Sequence, residues 1–291
     1  KKCILSWSGG KDSAWALKLL REQGDWQVGA LLTTVNEHFR RIAIHGVRED
    51  LLDRQAEAAG LPLWKVPLPW PCPNEEYERR MAAVCERAIA EGFTAFAFGD
   101  LFLEEIRAYR ERMLAGTGLQ PLFPVWGIPT DCLADEMLSA GVKARLTCLD
   151  PRKLPAEFAG RSWDRDLIAS LPAGVDPCGE NGEFHTFVTA GPMLHQEILV
   201  EPGERVERDG LIRLVRDWAL ALGLCPIRRE DPGLKPIVFM ALISGLKPAA
   251  PTQPSRGCID RPFNTRLPSP TPPQKSSSLQ STPGGTILPP N

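Results

Sequence analysis

Short apolar runs alternate with amphipathic stretches through the first part of the chain. Residues 3–5, 28–35 and 94–98 are largely apolar, as is typical of strands that are covered on both faces of a sheet. Residues 75–91 place apolar side chains at the i, i+3, i+4 and i+7 spacing of an amphipathic helix. This alternation, with its short connections, predicts an α/β fold with an open parallel sheet and helices on both faces.

Glycine and proline mark further boundaries in this region. Gly60 follows an amphipathic stretch that begins near Val47, and it is a suitable C-terminal stop for that helix. Segment 62–67 begins and ends with proline, which predicts a strand near the edge of the sheet because proline lacks an N–H group for strand pairing. Another helix is predicted over residues 103–114.

The pattern changes near Thr130. A helix is predicted around Leu133, a strand over residues 142–149 and a second helix over residues 162–171. We therefore predict a first domain over residues 1–129, and a smaller α+β domain over residues 130–210 that supplies substrate or catalytic residues.

Residues 211–291 form a predicted tail. Residues 211–224 fit one helix, but the chain from Pro248 onward is rich in Pro, Ser, Thr and Gly. Such a composition buries too little apolar surface to offset the entropy lost on ordering, so the tail is predicted to be largely disordered. The abrupt change after Gly210 is compatible with a native extension, a fusion or a frame-shifted end.

Composition excludes several classes of protein. The 291 residues carry a net charge of −2 and a sequence pI near 6.2, which disfavours a nucleic-acid partner. No apolar stretch is long enough for a membrane span, and the start of the chain is predicted as a strand rather than a secretory signal. The eight cysteines include no Cys-x-x-Cys pair, so no zinc or iron–sulfur site is supported and a reducing cytoplasm is expected.

Residues 6–13, Ser-Trp-Ser-Gly-Gly-Lys-Asp-Ser, join the first predicted strand to the first predicted helix. The glycines let the backbone approach an anion, and the N–H groups and dipole at the helix start attract it. Lys11 adds a formal positive charge, and Ser13 can act as the N-cap or donate its hydroxyl. We predict that this loop binds phosphate; the alternative is a polar turn that binds nothing.

Two common phosphate loops do not fit these residues. A Walker A loop needs a glycine, four further residues and then Gly-Lys-Ser/Thr, whereas here no glycine precedes Gly10 at that distance and Asp12 stands at the Ser/Thr position. The Gly-x-Gly-x-x-Gly fingerprint of dinucleotide sites is also absent. The loop instead resembles the pyrophosphate loop of the N-type ATP pyrophosphatases, which cleave ATP between the α and β phosphates. Thr33, Gly99 and Asp100 follow or end other predicted strands and are expected to line the same crevice.

A second polar segment, Gly179-Glu180-Asn181-Gly182-Glu183, is followed by His185. Its glycines permit tight turns that can aim both carboxylates at one point. Carboxylates suit a Mg²⁺ ion bound to ATP phosphates or general-base work on an incoming amine, and histidine can carry protons. The alternative interpretation is an acidic surface turn that leads into a strand.

Together the two segments resemble the diphthine–ammonia ligase (diphthamide synthase) family. That family combines an N-terminal pyrophosphate loop with a later Gly-Glu-x-Gly-Glu-aromatic segment that ends in Thr-Leu/Phe-Val, here residues 8–13 and 179–188. Residues 45–48, 99–101 and Arg107 also look like family positions. The resemblance covers about residues 2–210 and leaves the tail outside.

The resemblance implies an adenine nucleotide α-hydrolase-like (HUP) fold and an ATP-dependent amidation. A substrate carboxylate attacks the α-phosphorus, pyrophosphate leaves, and ammonia then displaces AMP from the acyl adenylate. Expected partners are ATP, Mg²⁺, ammonia and an unidentified carboxylate acceptor, and a homodimer is left open.

The site residues fall into three sets. Expected catalytic residues are Lys11, Asp12, Glu180, Glu183 and His185. Expected ATP-binding residues are Ser8, Gly9, Gly10, Lys11, Asp12, Ser13, Thr33, Gly99, Asp100 and Arg107. Asp12 and Glu183 are the expected Mg²⁺ ligands.

One position departs from the pattern of eukaryotic and archaeal members. His185 stands where they carry an acidic residue, as in the bacterial branch, in which diphthamide is absent; the acceptor is therefore left open. Two alternatives are considered as well. One is a tRNA-modifying enzyme of the same superfamily, although its thiolating members often carry Cys-x-x-Cys pairs. The other is a non-catalytic nucleotide sensor, which would not need Lys11, Asp12 or the paired glutamates.

Overall fold

Five strands described within the first 122 residues form one sheet in which every neighbouring pair is parallel. The sheet has the order β3-β2-β1-β4-β5. The computed structural model from which the fold is taken describes residues 1–38, 41–42, 47–201, 203–208 and 210–215. The strands are β1 (Lys2–Ser6), β2 (Gln27–Asn36), β3 (Leu63–Leu68), β4 (Ala95–Ala97) and β5 (Gln120–Leu122).

The helices that follow these strands cover both faces of the sheet. They are α1 (Lys11–Gln23), α2 (Glu49–Ala59), α3 (Asn74–Ala90) and α4 (Glu104–Leu114). One face packs against α3 through a core that includes Ile4, Leu32 and Phe96 of the sheet and Met81 and Cys85 of the helix. The expected open parallel α/β sheet is confirmed.

Local signals set the boundaries of these elements. Gly24 and Gly60 end α1 and α2 with φ values of 73° and 67°, in the left-handed region that favours glycine. Strand β3 contains Pro67 and lies at the edge of the sheet, where one side of the strand needs no pairing. Both the stop at Gly60 and the edge position of residues 62–67 were predicted from the sequence, and both are confirmed.

A second sheet follows, and its pairings are antiparallel. Its strands are β6 (Lys143–Leu149), β7 (Ser162–Trp163), β8 (Phe184–Ala190), β9 (Glu204–Arg208) and β10 (Leu211–Val215). Strand β8 pairs with β6, which also pairs with β7 and β10. Helix α5 (Thr130–Ser139), a 3₁₀ turn at Ala156–Phe158 and helix α6 (Arg165–Ala169) complete the described elements.

Two predicted helices differ in the structure. Residues 211–215 form strand β10, because the turn at Gly210 lets them pair with β9 while Ile212 pairs with Leu149 of β6. The helix predicted over 211–224 is therefore wrong for these residues, and its remainder lies outside the described part of the chain. Helix α6 begins only at Arg165, because Asp164 caps it by accepting a 2.8 Å hydrogen bond from the Leu167 N–H group.

The described helices include none with the length and apolar character needed to cross a lipid bilayer.

Candidate active site

The loop between β1 and α1 lies where the order of the sheet reverses. The chain passes from β1 to β2 on one side and returns to β4 on the other, so β1 and β4 are neighbours whose carboxyl ends meet. A Cβ atom added to Gly99 would lie 2.8 Å from the Ser13 backbone nitrogen. The segment after β4 therefore contacts the first turn of α1 directly, at the edge where open α/β sheets bind ligands.

Gly9 and Gly10 shape the loop. Gly9 has a φ of +77°, a backbone conformation that residues other than glycine rarely adopt. Gly10 is the N-cap residue of α1, and glycine has no side chain of its own with which to cap the helix. The Ser8 hydroxyl accepts a 3.2 Å hydrogen bond from the Gly10 N–H group. The loop thus combines a tight turn with the N–H-rich start of a helix, the features of an anion site.

Ser13 lies inside the first turn of α1 rather than at its cap. Its hydroxyl donates a 3.0 Å hydrogen bond to the Gly10 carbonyl and lies 3.1 Å from the Ser8 hydroxyl. The N-cap role allowed for Ser13 is therefore wrong, because the helix begins two residues earlier at Lys11. Its hydroxyl does donate, and the acceptor described is the loop's own carbonyl.

Lys11 is buried, with 2% of the residue exposed. Its ammonium group lies 3.0 Å from Asp12 Oδ2 and also donates a hydrogen bond to the Cys178 carbonyl oxygen. Burial alone would lower the pKa of Lys11, but the Asp12 carboxylate, which pairs with the ammonium, raises that pKa above its usual value. Lys11 therefore stays charged and ties the loop to the turn that contains Cys178.

Asp176 organises that turn, which spans residues 176–183. Its Oδ1 accepts hydrogen bonds from the N–H groups of Cys178 at 2.7 Å and Glu180 at 3.3 Å. Its Oδ2 accepts a 2.6 Å hydrogen bond from the Thr130 hydroxyl at the start of α5. These bonds fix the turn to its surroundings and set the position of Glu180.

Glu180 connects the turn to the segment after β4. Its Oε1 accepts a 3.0 Å hydrogen bond from the Leu101 N–H group. Burial raises the pKa of Glu180 to about 8, and the negative charge of Asp12 adds to the increase. A carboxyl group with this pKa can both accept and release a proton near neutral pH.

Asp12 contributes an unsatisfied acceptor to the same region. Its Oδ2 pairs with Lys11, whereas its Oδ1 is buried and has no hydrogen-bond partner within the described residues. Burial raises the pKa of Asp12, and the Lys11 ammonium opposes that change. An orphaned carboxylate oxygen beside an anion-binding loop is a suitable ligand for a cation.

Glu183 bonds within its own turn, and His185 lies on the face of β8 opposite to Thr186. Glu183 is 3% exposed, and its Oε1 accepts hydrogen bonds from the Asp176 N–H group and the Asn181 side-chain amide, each at 3.2 Å. It therefore stabilises its own turn. His185 alternates along β8 with Thr186, whose hydroxyl contacts the Lys11 N–H group, so the His185 side chain projects to the opposite face of the strand.

The remaining expected ATP-binding residues lie on β2, after β4 and on α4. Thr33 is buried within β2. The carbonyl of Leu32, the residue before it, accepts a 2.7 Å hydrogen bond from the backbone N–H group of Trp7. Asp100 lies 3.4 Å from Arg110. Arg107 pairs with Glu111 at 2.9 Å on α4, and its guanidinium lies 4.9 Å from the ring centres of both Phe123 and Trp126. His45 and Gly46, also expected from the resemblance, are outside the described residues.

Sequence reasoning missed two residues that hold the site together. Asp176 precedes the glutamate segment, and its side chain organises the turn. Gln55 lies on α2, and its side chain contacts the Gly9 carbonyl. The available signal for Gln55 was a neutral polar residue between Leu52 and Ala56, on the apolar face of a predicted helix.

Comparison with known proteins identifies related sequences. Residues 1–121 match the family described as diphthamide synthase N-terminal domain, and residues 129–231 match diphthamide synthase C-terminal domain. The second match continues past residue 210, where the resemblance drawn from the motifs ended. The chain is 26% identical over 224 residues to the diphthine–ammonia ligase of Bos taurus, and 25% identical over 224 residues to that of Homo sapiens. Each alignment covers 68% of this chain and 82% of the relative.

Proposed function

This chain belongs to the diphthamide synthase family, and from that membership we propose that it is an ATP-dependent ammonia ligase that forms AMP and pyrophosphate. The observation that carries the proposal is the buried, charged Lys11 at the start of α1, in a glycine loop at the carboxyl edge of the parallel sheet. The family matches favour this function over the two alternatives, a tRNA-modifying enzyme and a non-catalytic sensor.

The proposed first step joins a carboxylate to AMP. A carboxylate oxygen of the acceptor attacks the α-phosphorus, the bond from that phosphorus to the bridging oxygen breaks, and pyrophosphate leaves with the electron pair. Negative charge develops on the leaving group, where the Lys11 ammonium and the backbone N–H groups at the start of α1 stabilise it. Ser8, Gly9, Gly10, Asp12 and Ser13 complete this phosphate site.

The proposed second step forms the amide. Ammonia attacks the carbonyl carbon of the acyl adenylate, AMP leaves with the bond electrons, and the nitrogen releases a proton to solvent water. Ammonia is nucleophilic only after ammonium has lost a proton, and we assign the acceptance of that proton to Glu180, whose pKa of about 8 suits the transfer near neutral pH. Negative charge at Asp12 and Asp100 contributes to the raised pKa of Glu180.

The residues present fit a Mg²⁺ ion only in part. Within the described residues, no three His, Cys, Asp or Glu side chains are arranged to hold a metal ion by themselves. Asp12 Oδ1 and Glu183 Oε2 are both buried without a hydrogen-bond partner within the described residues, but Glu183 Oε1 already accepts two hydrogen bonds in its own turn, so Asp12 is the more suitable ligand. We propose that Asp12 would hold a Mg²⁺ ion, which would neutralise phosphate charge at the loop.

The two parts of the chain have separate roles in this proposal. Residues 1–129 bind ATP through the loop, with Thr33, Gly99 and Arg107 around it. Residues 130–210 supply the 176–183 turn and β8, and Glu183 maintains the shape of that turn. We assign His185 no part in cleavage of ATP, because its side chain projects from the face of β8 opposite to Thr186.

The test measures which products ATP gives. Purified protein is incubated with Mg-ATP, ¹⁵N-labelled ammonium and a set of carboxylates that includes diphthine, and pyrophosphate, phosphate and ¹⁵N-amide are quantified. We expect pyrophosphate and AMP in equal amounts, and one labelled amide per AMP. Phosphate release without pyrophosphate would contradict cleavage at the α-phosphate. Turnover that requires tRNA in place of a carboxylate would support the tRNA-modifying alternative.

A further inference from the structure

Gln55 is a fully buried amide in the middle of α2, with 0% of the residue exposed. Leu52, three residues earlier on the helix, and Ala56, the next residue, are buried as well. An amide at such a position is unfavourable unless hydrogen bonds replace its contacts with water. Gln55 therefore depends on its partners, and those partners identify what it does.

Three hydrogen bonds satisfy the amide. Oε1 accepts from the Trp7 indole N–H group at 3.0 Å, and Nε2 donates to the Gly9 carbonyl at 3.0 Å and the Val188 carbonyl at 2.7 Å. An indole N–H group can only donate and a carbonyl can only accept, so these partners fix the orientation of the amide. Both of its amide hydrogens are used.

These partners come from three parts of the molecule that meet at the phosphate loop. Trp7 follows β1, Gly9 lies in the loop and Val188 belongs to β8 of the second sheet. The Val188 N–H group also donates a 2.9 Å hydrogen bond to the Gly9 carbonyl. A Cβ atom on Gly9 would lie 2.8 Å from Gln55 Oε1, so the loop packs directly on the amide.

We propose that Gln55 is a positioning residue that holds the loop in its anion-binding conformation and fixes it to β8. The peptide of Gly9 immediately precedes Gly10, the N-cap residue of α1, so a displaced Gly9 would move the start of that helix away from the phosphates. The inference rests on the proposed function, since it takes the anion to be the phosphate chain of ATP.

The principal test replaces the amide without changing its size. Gln55→Met keeps the length of the side chain but leaves the Trp7 N–H group and the Gly9 and Val188 carbonyls without this partner. The probe is α,β-methylene-ATP with Mg²⁺, which cannot be cleaved between the α and β phosphates, and its Kd is measured by calorimetry. We expect the Kd to rise about tenfold to hundredfold. Gln23→Met is the matched control, because Gln23 Oε1 lacks a partner within the described residues, and its Kd should equal that of the unmodified protein.

A pH profile separates positioning from general stability. In Gln55→Glu an ionised carboxylate would face the Gly9 and Val188 carbonyls, whereas the protonated acid can donate to one of them. The ratio of the Kd of this variant to that of the unmodified protein, measured at each pH, should therefore fall as pH is lowered from 8 to 5.5. Trp7→Phe keeps both bonds from the amide to the carbonyls and should raise the Kd less than Gln55→Met.

The outcomes distinguish the two proposals. If the unmodified protein does not bind the probe, the proposed function fails and the role of Gln55 falls with it. If the unmodified protein binds and Gln55→Met binds equally well, only the role of Gln55 is overturned. If Gln55→Met does not fold, Gln55→Glu decides. A ratio of the two Kd values that does not change with pH overturns the positioning role, and a ratio that falls on acidification supports it.

Discussion

The backbone N–H group of Lys11 donates a 3.2 Å hydrogen bond to the side-chain hydroxyl of Thr186, 175 positions further along the chain. Thr186 belongs to β8, two residues before Val188, whose N–H group donates to the Gly9 carbonyl. The second sheet therefore contacts the loop through both a side chain and a backbone group. This contact makes the conformation of a loop in the first sheet depend on a strand of the second.

Removal of the Thr186 hydroxyl tests that dependence. Thr186→Val keeps the shape of the side chain but leaves the Lys11 N–H group without its acceptor, which should lower kcat/KM for ATP about tenfold. The measurement is steady-state pyrophosphate release. Thr189→Val is the matched control on the same strand, because the Thr189 hydroxyl bonds to the Lys143 carbonyl at 3.3 Å, and its kcat/KM should stay within about twofold of the original. Equal losses in the two variants would contradict a specific role for Thr186.

Lys11→Met should remove the charge that stabilises the leaving pyrophosphate. Methionine has a similar length and fits the apolar surroundings of the Trp163 and Phe184 rings, whose centres lie 5.6 and 5.8 Å from the ammonium. We expect kcat/KM to fall about 10²- to 10³-fold, as when an electrostatic stabiliser of a transition state is lost. Pyrophosphate release is assayed at a temperature at which circular dichroism shows the variant to be folded.

Lys18→Met serves as the control for Lys11→Met. Lys18 lies on the same helix and pairs with Glu22 at 2.8 Å, so its substitution also removes one positive charge and one ion pair from α1. Its turnover should match that of the unmodified protein. Retained turnover in Lys11→Met would exclude the ammonium from the chemistry.

Glu180→Gln should change how stability depends on pH. Folding raises the pKa of Glu180 from 4.5 to about 8, so between these values the folded state binds a proton that the unfolded state has released. The free energy of unfolding of the unmodified protein should therefore fall as pH rises through this window, by at most about 1.4 kcal/mol per pH unit from this group. Glutamine does not titrate, so the stability of the variant relative to the unmodified protein should increase with pH up to about pH 8 and stay constant above it.

Urea unfolding at pH 4.5, 6, 7, 8 and 9 measures this difference. Glu157→Gln, at an exposed glutamate, is the control and should parallel the unmodified protein. The same Glu180→Gln variant should also lose amide formation while it retains binding of Mg-ATP, because its amide can still accept from the Leu101 N–H group. A stability difference that is constant across the pH range would contradict the raised pKa of Glu180.

Two truncations test where the functional chain ends. The sequence predicts that a chain cut at Gly210 retains activity, but β10 begins at Leu211, and both Leu211 and Ile212 are buried. A chain of residues 1–210 should therefore have a lower Tm than one of residues 1–215, because it loses the pairing of β10 with β6 and β9. The 1–215 chain should bind Mg-ATP as the full chain does. Equal Tm values for the two truncations would show that β10 contributes little.

Much of the fold could be predicted because its signals are local. The alternation of apolar runs and amphipathic stretches predicts the parallel sheet with helices on both faces, and Pro62 and Pro67 predict its edge strand. The eight residues from Ser6 to Ser13 predict a phosphate loop, since the order strand, glycine turn and helix by itself places N–H groups and a dipole at one point.

Some residues were predicted only by type. Glu180 and Glu183 share one motif and one chemistry, but the turn aims Glu180 at Leu101 and leaves Glu183 bonded to Asp176 and Asn181. The spacing of residues in a motif does not fix the direction of each side chain, because that direction depends on the backbone of the turn and on what packs against it. Strand β10 was missed for a similar reason, since its partners β6 and β9 decide between strand and helix.

The sequence by itself determined the α/β sheet, the glycine loop after its first strand and the acidic segment. The tertiary structure decided how the two are joined. Lys11 reaches the Cys178 carbonyl across 167 positions, and Gln55 reaches Val188 across 133. Periodicity and turn signals report on neighbours a few residues apart, whereas such contacts exist only once both sheets have formed and packed. The loop could therefore be identified from its own residues, but the groups that hold it in place could not.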